Sequence, residues 1–365
     1  MRLVADEPMR FWTPPLPCLP GFALLVLIPA LAGCASPGQH ESRCGDEIVV
    51  AGQMFHTGTR VVLWMDPGGY DAYRVERRFV PFEQADWSHS KDKLRMPNRY
   101  GMRLQGLTDD EIERFRGGGW DLAALQKIVD QFVLHYDDCG TSRRCFQVLQ
   151  DNRGLSVHFM LDLDGTIYQT LDVKERAWHA TTSNDRSVGV EIANIGSYND
   201  GDDKDPLAKW YHTQPNGPTT IAIPASYGSD PERTPGFVGH PARRSMVVGE
   251  VQGETHHQYD YTPQQYAALV KLTAALCRIF PRLTCDYPRD DQHKLIPRKL
   301  ADDQLADYHG VLGHYHIQTD KTDPGPALQW DYVVGEARRL LKEPTLPYDV
   351  TGKPIVFRPK LIIDN

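Results

Sequence analysis

Apolar positions along this chain follow two periods in turn. Short β-branched runs at 47–51 and 60–64 predict strands, and Pro67-Gly68-Gly69 turns the chain away from them. The stretch to about residue 103 is polar and without a period. Thr108-Asp109-Asp110-Glu111 is a capping box that opens a short helix, and Gly117-Gly118-Gly119 ends it. A further helical turn or two is expected over 121–131. Residues 132–136 read as a buried strand ending in a histidine, followed by a helix over 144–152. Strands at 157–163 and 166–171 flank the hairpin signal Asp164-Gly165. Residues 187–194 form another apolar strand, broken by one carboxylate. Thr262-Pro263-Gln264-Gln265 caps a helix whose Tyr266, Leu269, Val270, Thr273, Leu276 and Phe280 recur at helical spacing until Pro281. A short strand at 310–313 and a closing helix at 330–341 complete the pattern.

Hairpin and crossover connections alternate with helices. The fold class expected is α/β, a mixed β-sheet flanked by helices, with one long irregular insertion at about 197–258. That insertion is rich in Gly, Pro, Asp and Tyr and reads as having little core. Its His212, His240, His256 and His257 show no ligand spacing. His56 and His89 likewise lack a partner motif.

The first 33 residues change the setting. Arg2 and Arg10 precede an apolar core at 21–30, too short to span a bilayer, and then Leu31-Ala32-Gly33-Cys34. This resembles a bacterial lipobox, which implies cleavage before Cys34 and lipidation of its thiol. Asp6 and Glu7 are unusual so early and point to Met9 as an alternative start. Ala35, where an aspartate would signal inner-membrane retention, implies the outer membrane of a Gram-negative envelope. The organisation expected is a lipoprotein signal peptide at 1–33, a tether at 34–45, an N-terminal extension at 46–120, the main domain at 121–342 and an extended tail at 343–365. In an oxidising periplasm, Cys139–Cys145 and Cys277–Cys285 become disulfide candidates, with Cys44 left over. The net charge of −8 argues against nucleic acid as a partner.

Chemistry concentrates in polar residues on apolar strands. His135 at the end of its strand, and Glu191 inside Val188-Gly189-Val190-Glu191-Ile192, are costly to bury without partners. A loop at 313–326 adds His314, His316, Asp320, Lys321 and Asp323. Together these suit a metal with an open water position and a general base. Spacing alone leaves room for His135 as a hydrogen-bonded core histidine and for Glu191 paired with an arginine.

Five ordered blocks carry a resemblance: Phe132-Val133-Leu134-His135-Tyr136; Ser156 to Gln169; Ala177-Trp178-His179-Ala180; Ser187-Val188-Gly189-Val190-Glu191; and Gly313-His314 with Lys321-Thr322-Asp323-Pro324-Gly325-Pro326. Over about 130–340, minus the insertion, the chain resembles the zinc-dependent N-acetylmuramoyl-L-alanine amidases of type 2, which share their fold with peptidoglycan recognition proteins. The resemblance implies Zn2+ held by His135, His314 and Asp323, with Glu191 as the catalytic carboxylate and Lys321 steadying the oxyanion. It also implies that Trp178 and His179 contact substrate, peptidoglycan or muropeptides. His316 is an alternative ligand; His314 is preferred because it follows the glycine. His158 is expected in core or groove packing. Val157 stands where some relatives have a tyrosine that assists catalysis, which leaves the proton work to Glu191. The Cys139/Cys145 spacing resembles a disulfide of the recognition proteins. A non-catalytic muropeptide-binding protein is the alternative function, and the retention of all three ligands and Glu191 weighs against it. The resemblance says nothing of oligomeric state.

Overall fold

The computed structural model describes residues 36–87, 99–200, 202, 206–215, 217–227, 234–342 and 360–364. The leader with Cys34, His89 and most of the 343–365 tail lie outside them. Residues 1–42 form one unit and residues 43–365 another. Of the first, the described part is a turn in which Gln39 Oε1 accepts from Ser36 N at 3.0 Å.

The second unit opens with strands β1 (Glu47–Val50), β2 (Gln53–His56), β3 (Val61–Leu63) and β4 (Tyr100–Met102). Helices α1 (Asp109–Arg116) and α2 (Leu122–Ile128) lead to β5 (Gln131–Tyr136) and α3 (Ser142–Gln147). Next come β6 (Phe159–Leu161), β7 (Ile167–Gln169), β8 (Glu175–Ala177) and β9 (Ser187–Ile192). The insertion supplies α4 (Leu207–Trp210), β10 (Tyr211–Thr213), β11 (Thr219–Ile221), β12 (Val247–Val251) and β13 (Glu254–Gln258). The chain closes with α5 (Pro263–Ile279), α6 (Asp302–Asp307), β14 (Gly310–Gly313) and α7 (Trp330–Leu341). None of the described helices is long and apolar enough to cross a membrane.

Six strands form the central sheet in the order β14-β5-β9-β6-β7-β3. Strands β14, β5, β9 and β6 run parallel, β7 is antiparallel to β6, and β3 is parallel to β7. This is the mixed α/β sheet that the alternating pattern predicts. Parallel strands covered on both faces read as nearly continuous apolar runs, as β5 and β9 do.

Helix α5 covers one face. Thr262 Oγ1 accepts from Gln265 N at 3.0 Å, and the Gln265 side chain returns to Thr262 N at 2.9 Å. Such a cap is worth about 1 kcal/mol. Leu269, Leu272 and Leu276 join Val333, Val334 and Ala337 of α7 and the sheet residues Phe132, Val188 and Phe159 in one core. Each leucine so buried contributes about 1.5–3 kcal/mol.

The structure differs from the pattern reading in three places. Strand β2 carries mostly exposed side chains, so no apolar period marks it; it is held by backbone pairing to β1 and by Phe55, which packs against the main core. The helix expected over 144–152 is α3 followed by a wider π-turn at Val148–Arg153, closed by Gly154 at φ 61°. The insertion has a small core of its own: Leu207, Trp210, Tyr211 and Ile221 pack with Leu163, Ala193 and Ile195 beside its two hairpins.

Described residues between 46 and 120 contribute to the sheet and its core. Strand β3 forms one sheet edge, and Ile48 and Val50 of β1 are fully buried in the main core. Strand β4 pairs with β8, and Arg103, just after it, is completely buried. Its Nη1 donates to the carbonyls of Asn184 and Asp185 at 3.3 and 2.8 Å, and its Nη2 to those of Val173 and Ser187 at 3.0 and 2.9 Å. Burial lowers its pKa to about 10, which leaves it charged at neutral pH. Arg103→Met would strip four carbonyls, three of them buried, of a donor. It is expected to cost about 3 kcal/mol or more, read as a lower urea midpoint.

No disulfide forms among the described cysteines. The bridges expected for Cys139–Cys145 and Cys277–Cys285 are therefore absent. Asp137 Oδ1 accepts from Cys139 N at 3.0 Å and Gly140 N at 2.8 Å, fixing the turn after β5. Burial raises the Cys145 thiol well above its ordinary range. Cys285 Sγ faces the Val334 carbonyl of α7 at 3.8 Å.

Candidate metal centre and groove

The register of the parallel strands assembles the site. His135 of β5 lies opposite Glu191 of β9, so both side chains leave the same face of the sheet. Leu134 lies opposite Gly313, the last residue of β14, which puts His314 beside His135. All three sit at or just past the carboxyl ends of parallel strands, where open α/β sheets place ligands. Asp323 is brought back by its own carbonyl, which accepts from Tyr315 N at 3.1 Å.

His135 Nδ1 lies 2.7 Å and His314 Nδ1 3.1 Å from Asp323 Oδ2, and the two Nδ1 atoms are 3.1 Å apart. All three residues are buried. Their far nitrogens are occupied elsewhere. His135 Nε2 is 3.0 Å from His179 Nδ1, and His179 Nε2 is 3.2 Å from Ser187 Oγ. His314 Nε2 is 2.7 Å from Gln318 Oε1. A proton on each Nε2 satisfies these contacts in sequence and leaves both Nδ1 lone pairs facing a carboxylate oxygen. Three acceptors then converge with no donor between them. The separations approach the roughly 3.3 Å edge of a tetrahedral zinc site with nitrogen and oxygen ligands. The donor set therefore fits a divalent cation, with His179 and Gln318 setting the two tautomers.

The electrostatics agree. Burial, then the adjacent His314, lowers His135 to about 4, so it is neutral with a lone pair to offer. Burial pulls His314 down, but the charge and hydrogen bond of Asp323 outweigh it and leave it raised. Burial pushes Asp323 up, yet the two imidazoles hold it well below the carboxylate range. Glu191 is pushed well above its ordinary range, first by burial and then by the charge of Asp323.

These residues line a groove of about 490 Å³, which Lys321, Trp178, His179 and Arg153 also enter. Lys321 and Glu191 thus share the groove with the ligand cluster. His316 does not: its Nδ1 accepts from Gly313 N and its Nε2 meets the Ile296 carbonyl, both at 2.8 Å, in full burial. His158 is also a core residue, accepting from Gly189 N at 3.1 Å and meeting the Glu175 carbonyl at 2.9 Å.

The N-acetylmuramoyl-L-alanine amidase family, Amidase_2, matches residues 125–326, more than half of the chain. The chain belongs to that family. This amidase-family chain is also similar to solved structures. One is described as a selenomethionine derivative of AmpD, 17% identical, covering 59% of this chain and 86% of that one at a TM-score of 0.28. Another is AmiD from E. coli in complex with the substrate anhydro-N-acetylmuramic acid-L-Ala-D-gamma-Glu-L-Lys, 17% identical, covering 57% of each chain at 0.29. A third is the endolysin amidase LysCS from Clostridium intestinale, 15% identical, covering 60% and 87% at 0.29. No curated protein matches.

Within this amidase-family site, several residues escape motif reading. Gly189 is one: a Cβ there would meet the His179 ring at 2.5 Å, so the glycine makes room for the imidazole that orients His135. Gln252, at the turn of the β12–β13 hairpin, donates to the carbonyls of Tyr315, Gln318 and Lys321 at 3.0, 2.8 and 3.1 Å. Gln258 ties Pro324 O at 3.2 Å and Ala327 N at 2.9 Å. The insertion thereby braces the loop that carries His314, Lys321 and Asp323. Amides have no spacing signature, which is why only the glycine, set in an apolar strand, left a trace in the sequence.

Proposed function

We propose that this protein is a zinc-dependent hydrolase that cleaves the amide between N-acetylmuramic acid and L-alanine in peptidoglycan or its fragments. The observation that carries the reading is the meeting of two imidazole Nδ1 atoms on one carboxylate oxygen, in a groove shared with Glu191 and Lys321. His135, His314 and Asp323 would hold the ion. The chemistry that zinc supplies when bound is Lewis acidity, which polarises an amide carbonyl and makes water nucleophilic near neutral pH.

The chain's own groups do the rest. No described side chain donates a hydrogen bond to Glu191, so its carboxylate is available to water. It takes a proton from the attacking water and returns it to the departing amine of L-alanine. A raised pKa suits a group that must do both. The Lys321 ammonium offsets negative charge growing on the carbonyl oxygen. Trp178 walls the groove. No serine or cysteine nucleophile takes part in this scheme.

Digestion of purified peptidoglycan is expected to release stem peptides with a free L-alanine amine and to leave muramic acid lactyl carboxylates. A chelator should abolish both products and zinc should restore them. Release that persists after verified metal removal would overturn zinc dependence.

The Leu31-Ala32-Gly33-Cys34 block supports a further part of the reading, a lipid anchor at Cys34 that holds the enzyme on the periplasmic face of the outer membrane. Labelled palmitate is expected to enter the protein in cells and to be lost in Cys34→Ser. Equal labelling of that variant would remove the anchor.

A further inference from the structure

A second cluster of ligand-type side chains lies outside the groove, where the β1–β2 hairpin begins. We propose that Cys44, Asp46, Glu47 and His56 form a structural metal site that takes a zinc-like divalent cation. One ligand atom from each of the four lies within 4.8 Å of the others. The edges of a tetrahedral zinc site with oxygen, nitrogen and sulfur ligands are about 3.3–3.8 Å, so closure needs only small side-chain rotations.

The backbone fixes the arrangement. Glu47 and His56 are cross-strand partners in the hairpin. Glu47 is buried, and its two oxygens accept from Cys44 N at 2.5 Å and Gly45 N at 2.9 Å. These bonds fold the Cys44–Gly45 turn back over the hairpin, with Gly45 at φ 85°. They use two of about four lone-pair sites on the carboxylate, so ligation remains open to it. Asp46 Oδ1 is 2.7 Å from His56 Nδ1, while its other oxygen accepts from Gly58 N at 3.0 Å. Cys44 is exposed and in no disulfide. The guanidinium whose charge reaches Glu47, that of Arg43, is committed to Asp66. A thiol, two carboxylates and an imidazole thus share a small volume.

The donor set selects the metal class. Thiolate and imidazole favour zinc over magnesium or calcium, which prefer oxygen alone. Four protein ligands leave no open position, so the site staples the hairpin instead of catalysing a reaction. Binding would replace the Cys44 proton with metal and release that proton to solvent.

The test uses the full chain carrying His135→Ala, which disables the groove cluster and isolates the second site. After chelation, the protein is incubated with Zn2+ or Mg2+ and alkylated, and Cys44 is read by peptide mass spectrometry. Zinc is expected to slow Cys44 alkylation on the order of tenfold or more, and magnesium to leave it unchanged. His56→Asn should remove the protection. With Co2+ in place of zinc, a thiolate charge-transfer band is expected and should vanish in Cys44→Ser. Equal alkylation with and without zinc, protection that survives His56→Asn, or a band that survives Cys44→Ser would each overturn the proposal. The groove reading stands or falls separately, because Cys44→Ser alone is expected to leave peptidoglycan turnover unchanged.

Discussion

Glu191→Gln is expected to lower peptidoglycan turnover by about 10²–10⁴-fold, the range that a positioned acid–base group supplies. The amide is nearly isosteric with the carboxylate but takes no proton from water. The groove's ligand cluster is untouched, because none of the hydrogen bonds joining His135, His314 and Asp323 passes through Glu191. Zinc content should therefore stay at its normal level while product release collapses. The pH profile adds a second readout. Burial and the Asp323 charge raise the Glu191 carboxyl, so the rate should fall with decreasing pH at a point above the ordinary glutamate range. In the glutamine variant that acid limb should disappear from the residual rate. A variant that retains turnover would remove Glu191 from the chemistry.

His135→Ala is expected to lose the groove's zinc equivalent, and with it turnover. The substitution removes a neutral imidazole and leaves His314 Nδ1 as the one imidazole nitrogen facing Asp323 Oδ2. The vacancy costs more than one ligand. His179 also loses its Nδ1 partner, His135 Nε2, and keeps only the Ser187 Oγ contact of its other ring nitrogen. The loss of zinc affinity should exceed the roughly 100-fold penalty typical of losing an outer partner. Titration of chelator-stripped protein with zinc, followed by calorimetry, measures it. Unchanged zinc affinity in this variant would place the ion elsewhere.

The reach of sequence reading varied with the kind of residue. His135 and Glu191 stood out because a polar group inside an apolar run demands a partner, and parallel pairing then set them side by side. His314 and Asp323 were visible as part of a dense polar loop. The strands and long helices followed from their periods, because burial on both faces of a sheet leaves little choice of residue. What stayed hidden was held by single polar groups acting across long separations. Gln252, Gln318 and Arg103 each bind backbone carbonyls or one ring nitrogen, and nothing local in the sequence announces such a task. The cysteines misled for a related reason. Cys139 and Cys145 are close along the chain, but both are free thiols behind the turn that Asp137 fixes. His316 illustrates the opposite case, a histidine in the loop whose two nitrogens are consumed by the backbone.

Strand β3 and Arg103 both lie ahead of the family-matched residues 125–326, and α7 lies behind them. A fragment excised at those limits would expose the free edge of β7, leave α5 without its helical neighbour and leave the Ser187 carbonyl, on the strand that bears Glu191, without its Arg103 donor. Transplanting the catalytic apparatus into another protein would accordingly demand the flanking sequence as well.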